Sequence, residues 1–146
     1  MNPNWPHSKK SEEGTVIPAT YVTTEPVEFF VGRENDVNWH TLLSYPKTPT
    51  SDLSVGIATC PPGTGHLRAH RHKQSEVYHI LEGEGKVTIN QKSSFVGKGA
   101  TVYIPSDAEH QIINTGKGDL KWLYVFPTNS FSDVVYRFSE TEKAKI

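Results

Sequence analysis

Apolar and polar positions along this chain change places over short distances. Runs rich in β-branched and aromatic residues fall near 18–23, 27–31, 36–44, 53–60, 65–72, 76–82, 85–90, 101–104, 109–114, 120–126 and 133–138. Short runs of this kind, separated by Gly, Pro, Asn, Asp and Ser, are strand signals. Within them the side chains alternate between two faces. In EVYHIL, Glu76, Tyr78 and Ile80 share one face, while Val77, His79 and Leu81 share the other. Trp122 and Tyr124 also share a face, apart from Leu123 and Val125. No segment holds a 3.6-residue apolar period over three turns, although 36–43 reads either way. Turn residues lie between the runs, at Pro61-Pro62-Gly63, at Glu82-Gly83-Glu84-Gly85 and at Asn114-Thr115-Gly116. About ten short strands joined this way predict an all-β sandwich or barrel. Residues 1–17 read as a polar arm, 18–140 as one domain and 141–146 as a polar tail.

Composition narrows the function classes. At 146 residues the chain is the size of one domain. With 15 Lys+Arg against 16 Asp+Glu there is no basic excess for gripping nucleic acid. Cys60 is the single cysteine, so an internal disulfide and a multi-cysteine zinc site are excluded. The opening MNPNWPHSKKSEEG has no apolar signal core, and no run approaches the length of a membrane span. The expectation is a cytoplasmic protein with no membrane partner. Gly83-x-Gly85 lacks the third glycine and following helix of a dinucleotide fingerprint and reads as a hairpin needing positive φ. Gly97-Lys98-Gly99 reads as a turn.

The candidate chemistry lies in the histidines. His70 and His72 are two apart and would point the same way from a strand. Glu76 follows after a short turn, and His110 opens a later strand. Taken alone, a His-x-His pair is as compatible with a solvated strand edge. With an acid and a distant third imidazole the four can converge on one divalent ion, and Fe, Mn, Ni, Co, Cu or Zn would suit such donors. His66 and Arg68 share parity with the pair if the strand reaches back that far, which would let Arg68 hold a substrate carboxylate. Trp39, Tyr103, Trp122 and Tyr124 could line a substrate pocket, and aromatic walls can bind a cation. Tyr78 shares the face of Glu76, and Tyr136 lies on a terminal strand that could close a barrel mouth. His7, His40 and His79 read as surface or satisfied polar residues, and Cys60 as a small buried one.

The two blocks His70-x-His72-x3-Glu76-x6-Gly83 and Gly99-x5-Pro105-x4-His110-x3-Asn114 resemble the paired motifs of the cupin superfamily. Asp107 stands where that family usually has Gly, and Asp tolerates unusual turn backbone. Gly63 and Gly65 each miss the usual upstream spacing by one. The resemblance implies a cupin-type antiparallel β-barrel, or jelly roll, with one metal ion held by His70, His72, Glu76 and His110. More narrowly, VNWHTLL, LSVGIATCPPG, HRHKQSEVY, VYIPSDAEHQIINTG and LKWLYVFPTNSFSDVVY resemble the small cupin-type lyases of dimethylsulfoniopropionate (DMSP). That likeness implies β-elimination on a small carboxylate, with Tyr78 as general base and Tyr136 as its partner in catalysis. The other readings of a cupin site are a dioxygenase, a dehydratase, isomerase or cyclase of another small metabolite, and a binding protein without catalysis. A homodimer is expected, because strands near 18–31 outside the central motif offer an edge for a second chain.

Overall fold

The computed structural model describes residues 14–140. The first thirteen residues of the expected arm, and the expected tail 141–146, lie outside the described residues. A single helical turn, α1 (Tyr21–Thr24), precedes eleven strands: β1 (Glu28–Phe29), β2 (Asn38–Leu43), β3 (Ser54–Cys60), β4 (His66–Arg71), β5 (Glu76–Glu82), β6 (Glu84–Ile89), β7 (Lys92–Gly97), β8 (Thr101–Ile104), β9 (His110–Asn114), β10 (Leu120–Phe126) and β11 (Arg137–Phe138). They form two antiparallel sheets, ordered β1-β2-β3-β10-β5-β8 and β11-β4-β9-β6-β7. No helix among the described residues is long and apolar enough to cross a membrane.

The core forms where the inner faces of the two sheets meet, as alternation requires. Strand β10 lies between β3 and β5 and turns Leu120, Trp122, Tyr124 and Phe126 inward. Its neighbours turn in Ala58 and Cys60 from β3, and Tyr78 and Ile80 from β5. Tyr124 stands between Gly56 and Tyr78 in register. A Cβ on Gly56 would overlap the Tyr124 Oη and Cζ atoms, so the phenol occupies the space that a side chain at 56 would take. Cys60 is fully buried and, as expected, acts as a small apolar residue; burial, then Asp36, pushes its thiol up to about 12.

Three expectations are corrected. The run at 18–23 gives a helical turn, and 27–31 only the two-residue β1, because few of these residues have a sheet neighbour to bury them. Strand β7 (KSSFVG) was missing from the strand pattern. It is an edge strand whose first four residues are exposed, so it carries no alternation. The hairpin into it turns at Asn90 and Gln91, both at positive φ (47° and 69°), and without a Gly the sequence gives little sign of it. In the preceding turn, between β5 and β6, only Gly83 has the expected positive φ (87°); Gly85 instead lets the Leu120 side chain approach its backbone.

Replacing Gly56 by Ala should force Tyr124 from its place, an overpacking that costs about 1–3 kcal/mol. The urea midpoint of the variant should fall accordingly; an unchanged midpoint would show that Tyr124 has room to move.

Candidate metal centre

Three imidazoles meet where β4 and β9 pair. His70, near the end of β4, is the register partner of His110, the first residue of β9. His72 follows the end of β4, and Glu76 opens β5 in the opposite sheet. All four are buried. Ring centroids are 4.1 Å apart for His70 and His110, 4.8 Å for His72 and His110 and 5.3 Å for His70 and His72. One ligand atom from each histidine can be chosen so that all three lie within 4.8 Å of one another.

Backbone carbonyls set the tautomers. His70 Nδ1 meets the Arg68 carbonyl at 2.7 Å, His72 Nδ1 the Gln74 carbonyl at 2.9 Å and His110 Nδ1 the Ala108 carbonyl at 2.8 Å. A carbonyl only accepts, so each Nδ1 carries the proton and donates it. Each Nε2 then presents a lone pair. The Nε2 atoms of His70 and His110 are buried without a hydrogen-bond partner. Glu76 Oε1 lies 3.1 Å from His72 Nε2 and 3.4 Å from His110 Nε2. One shared proton would satisfy a single Nε2 and leave the other two empty. A metal ion satisfies several at once, and imidazoles locked through Nδ1 are the usual arrangement for metal ligands. Burial, then the neighbouring His110, holds the His70 pKa well below the ordinary histidine value, which keeps the ring a neutral donor. The three histidines could therefore hold a metal ion, and Glu76 offers an oxygen beside them.

A cavity of about 290 Å³, open mouth included, adjoins this cluster. Glu76, Tyr78 and Tyr136 line it together with Trp39, Trp122 and Tyr124. Tyr136 stacks on His70, with centroids 4.8 Å apart and planes 24° apart. Tyr78 packs against Trp122 at 5.3 Å. The Oη atoms of Tyr78 and Tyr124 and the Nε1 of Trp39 are buried with no hydrogen-bond partner. Burial first, and the Glu76 carboxylate second, raises both the Tyr78 and Tyr136 phenols well above their ordinary values. Tyr124 is raised mainly by burial.

Two expected pocket residues lie elsewhere. Tyr103 is 64% exposed, because on β8 the inward positions are Val102 and Ile104. Arg68 is absent from the cavity wall and sits against the Phe138 ring, 3.8 Å from its centroid. The strand does reach back to His66, yet the parity fails. Leu67 pairs with Ile112 and His70 with His110, so β4 spends three residues where β9 spends two. This β-bulge breaks the alternation linking Arg68 to His70. The remaining histidines bear out their satisfied role: His40 meets the Glu25 carbonyl and His79 the Thr101 hydroxyl, both at 2.9 Å; His7 lies outside the described residues. Phe30 and Phe131 join the wall unexpectedly, from loops or short turns where no periodicity marks a face. Asp107 does take the left-handed backbone that Gly usually supplies, at φ 60°.

The comparisons agree with this geometry. The cupin domain family matches residues 56–126. The chain is 39% identical over 104 residues to the dimethylsulfoniopropionate lyase DddW of Ruegeria pomeroyi, covering 71% of this chain and 67% of that one. It is 30% identical over 117 residues to the oxalate-binding protein of Thermotoga maritima, covering 80% of this chain and 96% of that one. Among solved structures, an oxalate decarboxylase from Lactobacillus farciminis has a TM-score of 0.70 at 20% identity, covering 86% of this chain and 36% of that one. A structure of the DMSP lyases RdDddP and RnDddQII has a TM-score of 0.60 at 22% identity, covering 70% of this chain and 52% of that one. At these identities the two structures show a shared fold. The chain belongs to the cupin family, and its two sheets form that family's jelly roll.

Removing two imidazoles should abolish metal retention. Elemental analysis after loading and desalting should give about one divalent ion per wild-type chain and almost none for the His70→Ala/His110→Ala variant. Stoichiometric metal in that variant would move the centre elsewhere.

Proposed function

We propose that the protein is a metal-dependent lyase that performs non-oxidative β-elimination on a small carboxylate, with DMSP as the first candidate. The observation that carries this reading is the placement of Tyr78 and Tyr136 with Glu76 on the wall of one aromatic cavity beside the histidine cluster. The 39% identity to a DMSP lyase supports it, because that likeness extends over 104 residues.

A divalent ion held by His70, His72, His110 and Glu76 would supply a Lewis acid for the substrate carboxylate. The chain's own residues do the rest. The Tyr78 phenolate takes the proton from the carbon beside the carboxylate. The electron pair left behind forms the carbon–carbon double bond, the carbon–sulfur bond breaks, and dimethyl sulfide leaves with that bond's pair. Acrylate remains. Tyr136 orients the carboxylate end from its place over His70. The rings of Trp39, Trp122 and Tyr124 face the sulfonium, whose charge is attracted to aromatic faces. Burial holds Tyr78 as a phenol, and the Glu76 charge adds to this. Positive charge against Glu76 removes the second cause and brings the phenolate nearer reach.

The test is headspace detection of dimethyl sulfide from metal-loaded protein given DMSP without oxygen. Wild type should produce it. Tyr78→Phe should retain its metal and lose about 10²–10⁴-fold in turnover, and Tyr136→Phe should lose less. Full activity in Tyr78→Phe rejects that residue as base. Turnover only with oxygen would make the protein a dioxygenase. Carboxylate binding without any product would make it a binding cupin, as the oxalate-binding relative is named.

The same reading includes a homodimer. The five-stranded sheet ends at β7, an exposed edge whose Phe95 is 79% accessible, and such edges invite a second chain. Light scattering should give twice the 16.3 kDa chain mass; a monomer mass at micromolar concentration would rule the dimer out.

A further inference from the structure

Four side chains form a continuous stack from the protein's flank to its metal centre. The Arg68 guanidinium lies 3.8 Å from the Phe138 centroid. Phe138 stacks on Tyr136, with planes 28° apart and centroids 6.0 Å apart, and Tyr136 stacks on His70. Phe30 meets Phe138 and Tyr136 edge-on, at 5.3 and 5.4 Å. The backbone that carries Phe138 is weakly held. Strand β11 has only two residues, with Arg137 opposite Arg71 and Phe138 opposite His70. Its side chains must therefore supply much of the restraint on where Tyr136 sits.

Two contacts of Arg68 could provide that restraint. One is the ion pair to Glu140 at 3.9 Å, which Glu140 shares with Arg33 at 3.6 Å. The Glu140 side chain is 71% exposed, so water and salt screen that pair. The other is the stack on Phe138. The Arg68 side chain is only 17% exposed, and a desolvated cation–π contact is the stronger of the two. A planar guanidinium also lies flat on a ring, as an ammonium cannot.

We infer that Arg68 is a positioning residue that acts through Phe138 to hold the Tyr136 ring over His70. This rests on reading Tyr136 as part of the site, and it gives Arg68 a different task from binding a substrate carboxylate. The bulge in β4 is what makes the task available, because it turns Arg68 away from the cavity while His70 stays inward. Substituting the Arg68 side chain leaves in place the backbone carbonyl that holds His70 Nδ1.

The experiment uses the full chain loaded with zinc. Its readouts are the NMR shifts of the His70 ring protons, which feel the ring current of Tyr136, and the rate of zinc release to a chromogenic chelator. Neither depends on turnover, so the result stands apart from whether the protein is a lyase. Arg68→Met should shift the His70 signals and speed zinc release about 5-fold, with unchanged zinc stoichiometry. Phe138 itself lies 5.8 Å from the His70 ring, so for Phe138→Leu the readout is zinc release alone, which should speed up likewise, and the double variant should release zinc no faster than Phe138→Leu. Glu140→Gln should stay within about 2-fold of wild type. If Arg68→Met does not fold, Arg68→Lys, which keeps the charge and loses the planar stack, should shift the same signals. Additive effects in the double variant, a Glu140→Gln effect as large as that of Arg68→Met, or wild-type His70 signals in Arg68→Met or Arg68→Lys would each overturn the inference.

Discussion

The Nε2 atoms of His70, His72 and His110 and an oxygen of Glu76 meet inside the protein, and each imidazole already donates its one N–H, at Nδ1, to a backbone carbonyl. Buried acceptors without donors are costly, and the Nε2 atoms of His70 and His110 have no hydrogen-bond partner. The constraint is shared between the sheets. Two of the ligand atoms come from paired strands of one sheet, and the carboxylate comes from the first residue of a strand in the other. A cation that satisfies the cluster would also tie the sheets together at that end. The stability of the jelly roll and the chemistry of its interior are therefore linked through one point.

The same carboxylate acts on the phenols. Burial raises Tyr78 and Tyr136 most, and Glu76 raises both further. These two phenols and the Glu76 carboxylate line a cavity whose other walls are aromatic and aliphatic. Such a space is poorly hydrated, so a charge introduced beside Glu76 is felt more strongly by the phenols than it would be in water. For the proposed lyase this coupling would matter, because a base needs a proton acceptor whose ionisation follows the charge next to it.

Much of this was legible in the sequence, for reasons that can be located. Strands β3, β5 and β10 alternate strictly because each has a neighbour on both sides and a core beneath it, so burial is written into every second residue. The histidine spacing pointed to the cluster because His70 and His72 lie past the irregularity in β4. Strand β7 was hidden because an exposed edge selects for nothing periodic. Phe30 and Phe131 were hidden because the chain near them has little regular structure, and their place follows from tertiary packing alone.

Arg68 was misread for a sharper reason. Strict alternation would have put His66, Arg68 and His70 on one face. On β9, however, Ile112 and His110 are two apart and both point inward, one into the core and one into the site. Their partners on β4 are Leu67 and His70, which are three apart. Without the extra residue, β4 could serve the core with Leu67 or the histidine cluster with His70, and never both. The bulge resolves that conflict by shifting the phase of the strand between the two tasks. Arg68 lies in the residues that absorb the shift, so its side chain is freed from both interiors and meets Phe138 instead. A period-two reading could not have found this, because the irregularity is registered only in how β4 pairs with a strand some 40 residues away.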